Sequence, residues 1–406
     1  MESKNGSGTL RIVQVNGADH PGIFVHFCQF FSDNSINILD VKQNVLRGYL
    51  SITFLVDLKE SKLNEDRIAL QLRKIGRVHS LNVDLHRYEK GQRARLRDLY
   101  VLTIVGRDQI GLLHQISAVL TENKVNIDTI QVKVNEGFIY NQFLIDCSSV
   151  TDIKKLRNDI RQVCEAMGLS MTLQQERLYR KNKKLIIFDM DSTLINGETI
   201  VEAAKLAGKE QEMAEATELA MSTDMDFSES LIQRARLLQG IPEAMLKQIA
   251  NNLELTFGAE ELISELKAMG WKIGIVSSGF SYFTDAVKEK LGLDYSFGNT
   301  LEIRDGIVTG NITGSIIDAN GKWEIVQELA HQLNIHPDEV VTIGDGSNDI
   351  SMIKNSGLGI GFNSKEILSE VADGKIGQTH LKSVLLMLGL SETEIDQFFY
   401  QSNTNA

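Results

Sequence analysis

Leu185-Ile186-Ile187-Phe188-Asp189-Met190-Asp191-Ser192-Thr193-Leu194 is the stretch of sequence that decides the fold. Its first four residues are apolar and predict a strand that is buried on both faces, as in a parallel sheet. Two carboxylates follow, and their mutual repulsion and loss of hydration are costly at the end of a buried strand. Such a pair typically holds a divalent cation or attacks an electrophile. The alternative is a capping box or an acidic loop, since Asp and Ser are ordinary turn residues.

Two later strands end in polar motifs of their own. From Leu185 onward strands and helices alternate, which predicts a doubly wound α/β fold with a parallel sheet. Residues 271–276 lead into Ser277-Ser278-Gly279-Phe280 and a helix, and residues 340–343 lead into Gly344-Asp345-Gly346-Ser347-Asn348-Asp349. Ligands of such sheets bind at the carboxyl ends of the strands, so we expect the three motifs to converge on one crevice.

The N-terminal part of the chain contains an internal repeat. Gly17, Asp19 and Gly22 recur as Gly106, Asp108 and Gly111 at an offset of 89 positions (106 − 17 = 89). Each copy has the pattern of a βαββαβ unit, which predicts a duplicated ferredoxin-like domain of the α+β class. Two basic stretches, residues 87–98 and 174–184, are interpreted as solvated linkers rather than as nucleic-acid sites.

The bulk composition limits the classes of partner. A length of 406 residues predicts several domains, and 42% hydrophobic residues indicate a globular chain. The net charge of −12 argues against a nucleic-acid or anionic-membrane surface. Cys28, Cys147 and Cys164 are scattered, which fits a reducing compartment. With no apolar run long enough for a bilayer and no apolar signal segment, we expect a cytoplasmic protein.

The repeat resembles the ACT domain, a regulatory module that often binds amino acids. The resemblance rests on the pattern strand, Gly-x-Asp-x-x-Gly-hydrophobic, helix, and it implies ACT-like domains at residues 9–87 and 99–173. It also implies that a small effector, such as serine, binds near the Gly-rich turn, often between two such domains, and we expect a homodimer. On the residues alone, the glycines only make the turn and the helix entry.

The three strand-end motifs in this order resemble the haloacid dehalogenase-like phosphatases over about residues 183–395. With Glu198, Asp226-Phe227, Ser230 and Arg234 downstream, the resemblance is to those members that hydrolyse O-phospho-L-serine. Ser278 departs from the family pattern, because a glycine is more usual there. The resemblance implies a haloacid dehalogenase-like Rossmannoid sheet and hydrolysis through an aspartyl-phosphate, the last step of serine biosynthesis.

The same resemblance assigns roles to the acids. Asp189 is the expected nucleophile, and Asp191 is the expected general acid for the leaving alkoxide and base for the attacking water. One Mg²⁺ per active site is expected on the Asp189 carboxylate, the Asp191 backbone carbonyl and the Asp345 carboxylate. Asp349 is expected to orient a metal-bound water or Lys322. The sequence does not distinguish Mg²⁺ from Mn²⁺.

The expected phosphate ligands come from the other two motifs and one lysine. The Ser277 hydroxyl and the N–H groups of Ser278 and Gly279 are predicted to lie at a helix start, which is a natural anion site. Lys322 adds a positive charge, and Asn348 binds the phosphate or the head group of the substrate.

Substrate selection is expected from a small helical cap at about residues 200–255 that closes over the site. Arg234 is expected to clamp the substrate carboxylate, Glu198 to bind its ammonium group and Phe227 to form an apolar wall. On spacing alone, Phe227 and Arg234 are a core and a surface position of one amphipathic helix. Two alternatives stay open at this point: a phosphatase or phosphotransferase for another small phosphomonoester, and a non-catalytic amino-acid sensor.

Overall fold

The computed structural model describes residues 8–88, 97–135, 137–179, 183–222, 226–377 and 380–389. The chain divides into two compact units, residues 1–95 and 96–406. The two predicted linkers and the predicted domain end at residue 395 lie partly outside the described residues, and the predicted domain boundaries stay predictions.

The first unit is a four-stranded antiparallel sheet in the order β2-β3-β1-β4. Its elements are β1 (Leu10–Ala18), α1 (Ile23–Asp33), β2 (Asn37–Leu46), β3 (Tyr49–Asp57), α2 (Glu65–Val78) and β4 (Asn82–Arg87). The sheet alternates buried and outward side chains, and the buried ones pack with Phe27, Ile68 and Leu72 of the helices into a separate core. The predicted βαββαβ order is confirmed.

The second copy repeats this architecture in the second unit. Its elements are β5 (Leu99–Arg107), α3 (Leu112–Glu122), β6 (Asn126–Asn135), β7 (Phe138–Asp146), α4 (Ile153–Ala166) and β8 (Ser170–Gln175), followed by the short α5 (Glu176–Tyr179). Even the irregularity in β2 after Ile38 recurs in β6 after Ile127, 89 positions later (127 − 38 = 89). Gly22 and Gly111 adopt φ values of 97° and 96°, and a helix begins at the next residue in each copy.

The sheet of the second copy continues into the catalytic region, because its strand β8 pairs antiparallel with β15. One eleven-stranded sheet results, in the order β12-β11-β10-β9-β13-β14-β15-β8-β5-β7-β6. The added strands are β9 (Leu185–Phe188), β10 (Lys272–Phe280), β11 (Tyr295–Arg304), β12 (Ile307–Thr313), β13 (Val340–Gly344), β14 (Leu358–Phe362) and β15 (Gly374–Ile376). Strands β11, β10, β9, β13, β14 and β15 run parallel to one another, as the alternating pattern predicts.

Helices flank this sheet and form the cap. The helices that follow the first strand are α6 (Thr199–Leu206), α7 (Glu210–Ser222), α8 (Phe227–Leu237) and α9 (Glu243–Asn251). The remaining helices are α10 (Ala259–Ala268), α11 (Ser281–Leu291), α12 (Ala319–Gln332), α13 (Ile350–Asn355) and α14 (Glu366–Ser369). Buried residues of the cap, such as Leu231 and Leu246, join one apolar core with Phe188 of the central strand. Within the described residues, no helix is long and apolar enough to cross a bilayer.

Two local predictions are wrong. Strand β10 continues through Ser277-Ser278-Gly279 to Phe280, and α11 begins only at Ser281, so the Ser278 and Gly279 N–H groups are not in a helical turn. Pairing of Phe280 with Asn299 of β11 extends the strand. Lys183 is not solvated: it is 4% exposed, and its ammonium group donates to the carbonyls of Leu178 and Asp338.

Candidate active site

The central strand β9 places the first acid at the edge of the sheet where the parallel strands end. All four residues of β9 are buried, because the strand lies between β10 and β13. The Asp189 N–H group donates to the Ile343 carbonyl at 2.8 Å, which extends the pairing of β9 with β13 by one residue. Asp189 itself is only 3% exposed.

A buried lysine joins two of the predicted acids. The Lys322 ammonium group donates to Asp189 Oδ1 and to Asp349 Oδ1, each at 2.7 Å. Lys322 and Asp349 are fully buried. Burial alone would lower the pKa of Lys322, but the charges of the two carboxylates raise it, so the ammonium stays protonated. Sequence reasoning placed Lys322 here, and the structure brings it to the acids.

Helix α12 holds Lys322 because its first turn is capped. The Asp318 side chain accepts hydrogen bonds from the N–H groups of Asn320 and Gly321, and its carbonyl accepts from Lys322 N–H at 2.9 Å. The Asp-Ala-Asn-Gly-Lys sequence therefore begins a helix at a fixed point. The long side chain of Lys322 then extends from the first turn to the end of β9.

The carboxylates of Asp189, Asp345 and Asp349 lie close enough together to hold a metal ion, with one oxygen of each within 4.8 Å of the others. Asp349 already uses both oxygens: Oδ1 accepts from Lys322, and Oδ2 accepts from the N–H groups of Asp345 and Gly346 at 3.0 and 3.2 Å. Asp189 and Asp345 are the better candidates for direct ligands. Carboxylate oxygens in this arrangement fit a hard divalent cation.

The electrostatics of the acids also call for a cation. Burial, with a contribution from the neighbouring Asp349, raises the pKa of Asp189 well above its ordinary value. Burial likewise raises the pKa of Asp345 to about 6. Lys322 offsets only part of this effect, so a further positive charge would favour the ionised form of both acids.

Asp191 lies on the turn that follows β9, and Thr199 holds it. The Thr199 N–H group donates to Asp191 Oδ1 at 2.8 Å, and its hydroxyl lies 3.5 Å from Oδ2. Burial raises the pKa of Asp191 to about 6, although the Thr199 N–H bond opposes the shift. A carboxyl group with a pKa in this range can both donate and accept a proton near neutral pH.

The Ser277-Ser278-Gly279 segment faces Asp191. The Gly279 N–H group donates to the Ser277 hydroxyl at 2.9 Å. A β-carbon added to Gly279 would lie 3.1 Å from Asp191 Oδ2 and 3.2 Å from Ser277 Oγ, so glycine leaves open the space between these two groups. The Ser278 hydroxyl is buried and has no partner among the described residues.

Among the predicted substrate residues, Glu198 interacts electrostatically with Asp191 and Asp345, and Arg234 interacts with Glu198. Glu198 is exposed just before α6, and its negative charge contributes to the raised pKa of Asp191. The pKa of Arg234 is lowered overall, because the effect of burial exceeds the opposing effect of the Glu198 charge. Phe227 is half-buried at the start of α8, and Asn348 is half-buried in the 3-10 helix Ser347–Asp349.

Two positioning residues escaped sequence reasoning. One is Thr199. The other is Asn299 of β11, which is 1% exposed, donates to the Ser278 carbonyl at 2.8 Å and accepts from the Ile317 N–H group at 2.8 Å. A buried amide needs partners, and asparagine is a common loop residue, so no specific sequence signal pointed to Asn299.

The parallel sheet, its acidic strand ends and the helical cap define the class of protein. The family model described as a haloacid dehalogenase-like hydrolase matches residues 183–357. Two models of the ACT domain match residues 9–86 and 100–165.

Similar proteins narrow the class further. The phosphoserine phosphatase of Archaeoglobus fulgidus is 43% identical over 310 residues, which cover 76% of this chain and 90% of that protein. The phosphoserine phosphatase of Streptomyces coelicolor is 33% identical over 392 residues, or 95% of this chain and 93% of that protein. A crystal structure of a probable phosphoserine phosphatase from Vibrio cholerae, at 32% identity, matches with a TM-score of 0.57 over 73% of this chain and 88% of that chain. The chain belongs to the phosphoserine phosphatase family, and its activity is that of a phosphatase.

Proposed function

We propose that the chain hydrolyses O-phospho-L-serine to L-serine and phosphate, the reaction that ends serine biosynthesis. The observation that carries this proposal is the buried pair of Asp189 and Lys322, 2.7 Å apart, beside Asp191 and Asp345. A nucleophilic carboxylate needs positive charge nearby to approach an anionic phosphate, and Lys322 together with a cation held by the neighbouring acids would supply it. The phosphoserine phosphatases among its relatives support the substrate.

We propose Mg²⁺ as the cation, held by the carboxylates of Asp189 and Asp345 and by the Asp191 backbone carbonyl. When bound, it neutralises phosphate charge and keeps the buried acids ionised. We do not assign Asp349 as a ligand of the cation, because it orients Lys322 and the backbone of the Asp345 loop.

The side chains divide the reaction into two displacements. Asp189 attacks phosphorus while the bond between phosphorus and the serine oxygen breaks, and Asp191 gives its proton to that oxygen. Water then attacks the aspartyl-phosphate, Asp191 accepts the proton of the water, and the bond between phosphorus and Asp189 breaks. Lys322, the Ser277 hydroxyl and the backbone N–H groups of Ser278 and Gly279 stabilise the phosphoryl oxygens, for which the Gly279 N–H group must exchange its bond to Ser277.

Selection for serine is assigned to the cap. Arg234 carries a guanidinium for the substrate carboxylate, Glu198 carries a charge of the sign that binds its ammonium group, and Phe227 lines the remaining wall. Asn348 is left to bind the phosphate or the head group.

The test is phosphate release from phosphoserine with Mg²⁺, measured beside phosphothreonine, a sugar phosphate and an EDTA control. Asp189→Asn should lower kcat by about a thousandfold or more, because no other group can form the intermediate. Asp305→Asn, in an exposed turn, is the matched control and should leave turnover unchanged. Turnover of another ester instead would discard the substrate and keep the mechanism. Absence of metal-dependent turnover with every ester would favour the amino-acid sensor.

We also propose that the ACT domains bind an amino-acid effector, with serine as the first candidate, and that the chain forms a homodimer. Light scattering gives the oligomeric state. Calorimetry with serine should use the full chain, because β8 pairs with β15 and a fragment ending before Leu185 would expose that edge. The Arg234→Met variant removes the proposed carboxylate clamp of the active site, so binding that persists in it belongs to the ACT domains.

A further inference from the structure

Three ion pairs join the second ACT copy to the catalytic region. Arg157 bonds Asp373 at 3.0 Å, Arg161 bonds Glu366 at 2.7 Å, and Lys375 bonds Glu165 at 2.8 Å. Backbone pairing supports them, because the Leu173 N–H group donates to the Asp373 carbonyl at 2.8 Å. Helix α4 is therefore fixed over the segment that connects β14 to β15.

The segment that Arg161 contacts also carries the Asp345 loop. The Lys365 N–H group donates to the Asp345 carbonyl at 3.0 Å, and Glu366 is the next residue. The segment is anchored on its other side by the Asn363 N–H group, which donates to Ile376 of β15 at 2.9 Å.

The burial of Arg161 is unusual for a surface ion pair. Its side chain is 7% exposed, whereas that of Glu366 is 67% exposed. Its Nε and Nη1 atoms are buried and have no partner among the described residues, which costs free energy. In the first copy, Ile68 and Leu72 occupy the core positions of Leu156 and Ile160 (156 − 68 = 88; 160 − 72 = 88).

At the same offset, the counterpart of Arg161 is Arg73 (161 − 73 = 88), which is exposed. The duplicated helix therefore presents an arginine at one position in both copies. Only in the second copy is this arginine buried and bonded to the segment beside the acidic cluster.

We propose that Arg161 is a positioning residue for the cation site: by holding Glu366, it fixes Lys365 and through it the Asp345 carbonyl. The second ACT copy thereby contributes to the affinity for the divalent cation without touching the cation or the substrate. This inference rests on the proposed role of Asp345 as a metal ligand. A simple adhesive role is the alternative, and Arg157 with Asp373 already provides one.

The experiment uses the full chain with Glu366→Gln and Arg161→Met. Glu366→Gln is a conservative change on an exposed side chain, so it tests the contact even if Arg161→Met fails to fold. Two controls match them: Glu165→Gln removes a junction ion pair in which neither Arg161 nor Glu366 takes part, and Arg73→Met makes the same change at the equivalent helix position of the first copy.

Three measurements are made on each protein, and the third is the KM for phosphoserine. Hydrogen exchange on the metal-free chain follows residues 363–369, and calorimetry gives the Mg²⁺ dissociation constant without substrate. We expect both Glu366→Gln and Arg161→Met to speed exchange in this segment and to weaken Mg²⁺ binding by about threefold to tenfold, the size of effect found for coupled positions. KM for phosphoserine at saturating Mg²⁺ should stay within about twofold, since the contact changes cation affinity and not substrate contacts.

Wild-type exchange and Mg²⁺ affinity in Glu366→Gln would overturn the inference, as would equal effects in Glu165→Gln. Faster exchange with unchanged Mg²⁺ affinity would overturn it as well. Failure of the proposed function looks different, because wild type itself would then bind no Mg²⁺. In that case, exchange at residues 344–349 decides whether Arg161 holds the Asp345 loop.

Discussion

Asn299 illustrates how one buried amide supports the phosphate side of the site. It ties the Ser278 carbonyl of β10 to the Ile317 N–H group before α12, so one side chain connects the two segments that carry Ser277 and Lys322. Such a residue does not touch the substrate, yet it fixes the distance between groups that do.

Asn299→Ala should lower the free energy of unfolding by about 2 to 4 kcal/mol, because two buried backbone groups lose their partners. It should also weaken inhibition by inorganic phosphate, since the Ser278 segment is no longer held. Urea denaturation and phosphate inhibition measure the two effects. Asn311→Ala, which removes an exposed amide on β12, is the control and should change neither. An unaltered phosphate inhibition constant in Asn299→Ala would contradict the positioning role.

At the residue scale, sequence reasoning found the charged groups but not their orientation. Asp349 was placed near Lys322 or a metal-bound water, and only the structure reveals that its second oxygen bonds the N–H groups of Asp345 and Gly346. Thr199 was missed because threonine at a helix start is common. Its bond to Asp191 depends on how the turn after β9 folds back, which no local pattern encodes.

At the scale of elements, the hairpin of β11 and β12 does more than turn the chain. The Asp305-Gly306 sequence is a common hairpin turn signal, and both residues adopt positive φ. The hairpin also supports the cap: the Gly240 N–H group donates to Val308, and the Glu243 N–H group donates to Gly306. The position of α8, which carries Arg234, therefore depends on β12.

Two glycines of this hairpin test that dependence. A β-carbon on Gly310 would lie 3.0 Å from Gln239 Cβ and 3.2 Å from Arg236 Cα, whereas one on Gly306 would meet nothing within 4 Å. Both have positive φ, so each alanine variant should lose about 1 to 2 kcal/mol of stability. Only Gly310→Ala should also raise KM for phosphoserine several-fold, by displacing α8. Steady-state kinetics and thermal unfolding decide, and equal KM values in both variants would refute the dependence.

The end of β10 was the element that sequence reasoning placed wrongly. Ser-Ser-Gly reads as a turn and helix start by local propensity. Tertiary pairing overrides that preference, because Phe280 aligns with Asn299 in the parallel ladder. In contrast, the α/β alternation and the repeat were predictable, since hydrophobic periodicity and a constant offset depend on sequence alone.

At the scale of the whole molecule, the cluster of acids should make stability depend on pH and on Mg²⁺. The pKa values of Asp191 and Asp345 are raised from 3.8 to about 6, and burial raises the pKa of Asp189 well above its ordinary value. A carboxyl group whose pKa is higher in the folded than in the unfolded chain contributes its full stabilisation when the pH is below the pKa of the unfolded chain. This contribution is lost as the pH rises through the pKa of the folded chain.

The metal-free chain should therefore lose several degrees of Tm between about pH 4 and pH 7 from these groups. Saturating Mg²⁺ should reverse most of that loss, so its stabilising effect should be larger at pH 7.5 than at pH 5. Calorimetric scans with EDTA or Mg²⁺ across this range measure both trends. Asp189→Asn should flatten the metal-free slope, and an identical gain from Mg²⁺ at both pH values would contradict the assignment of the cluster.

Truncation should distinguish the two ACT copies. A chain beginning at Arg97 retains the whole second sheet and should keep its Tm and its phosphatase activity, because the first unit has its own core. A chain beginning at Lys183 loses β8, the ion pairs of Arg157 and Arg161, and the cover over β15. It should unfold at lower temperature and aggregate through the exposed edge. Equal stability of the two truncated chains would contradict this difference.

The union of β8 with β15 also has an evolutionary consequence. In the second copy β8 pairs with β15 of the catalytic region, whereas in the first unit β4 is an edge strand among the described residues of its own sheet. The second copy can accept mutations on α4 and β8 only in step with Asp373 and Glu366. We expect the first copy, which has a hydrophobic core of its own, to tolerate changes of sequence more readily than the second copy.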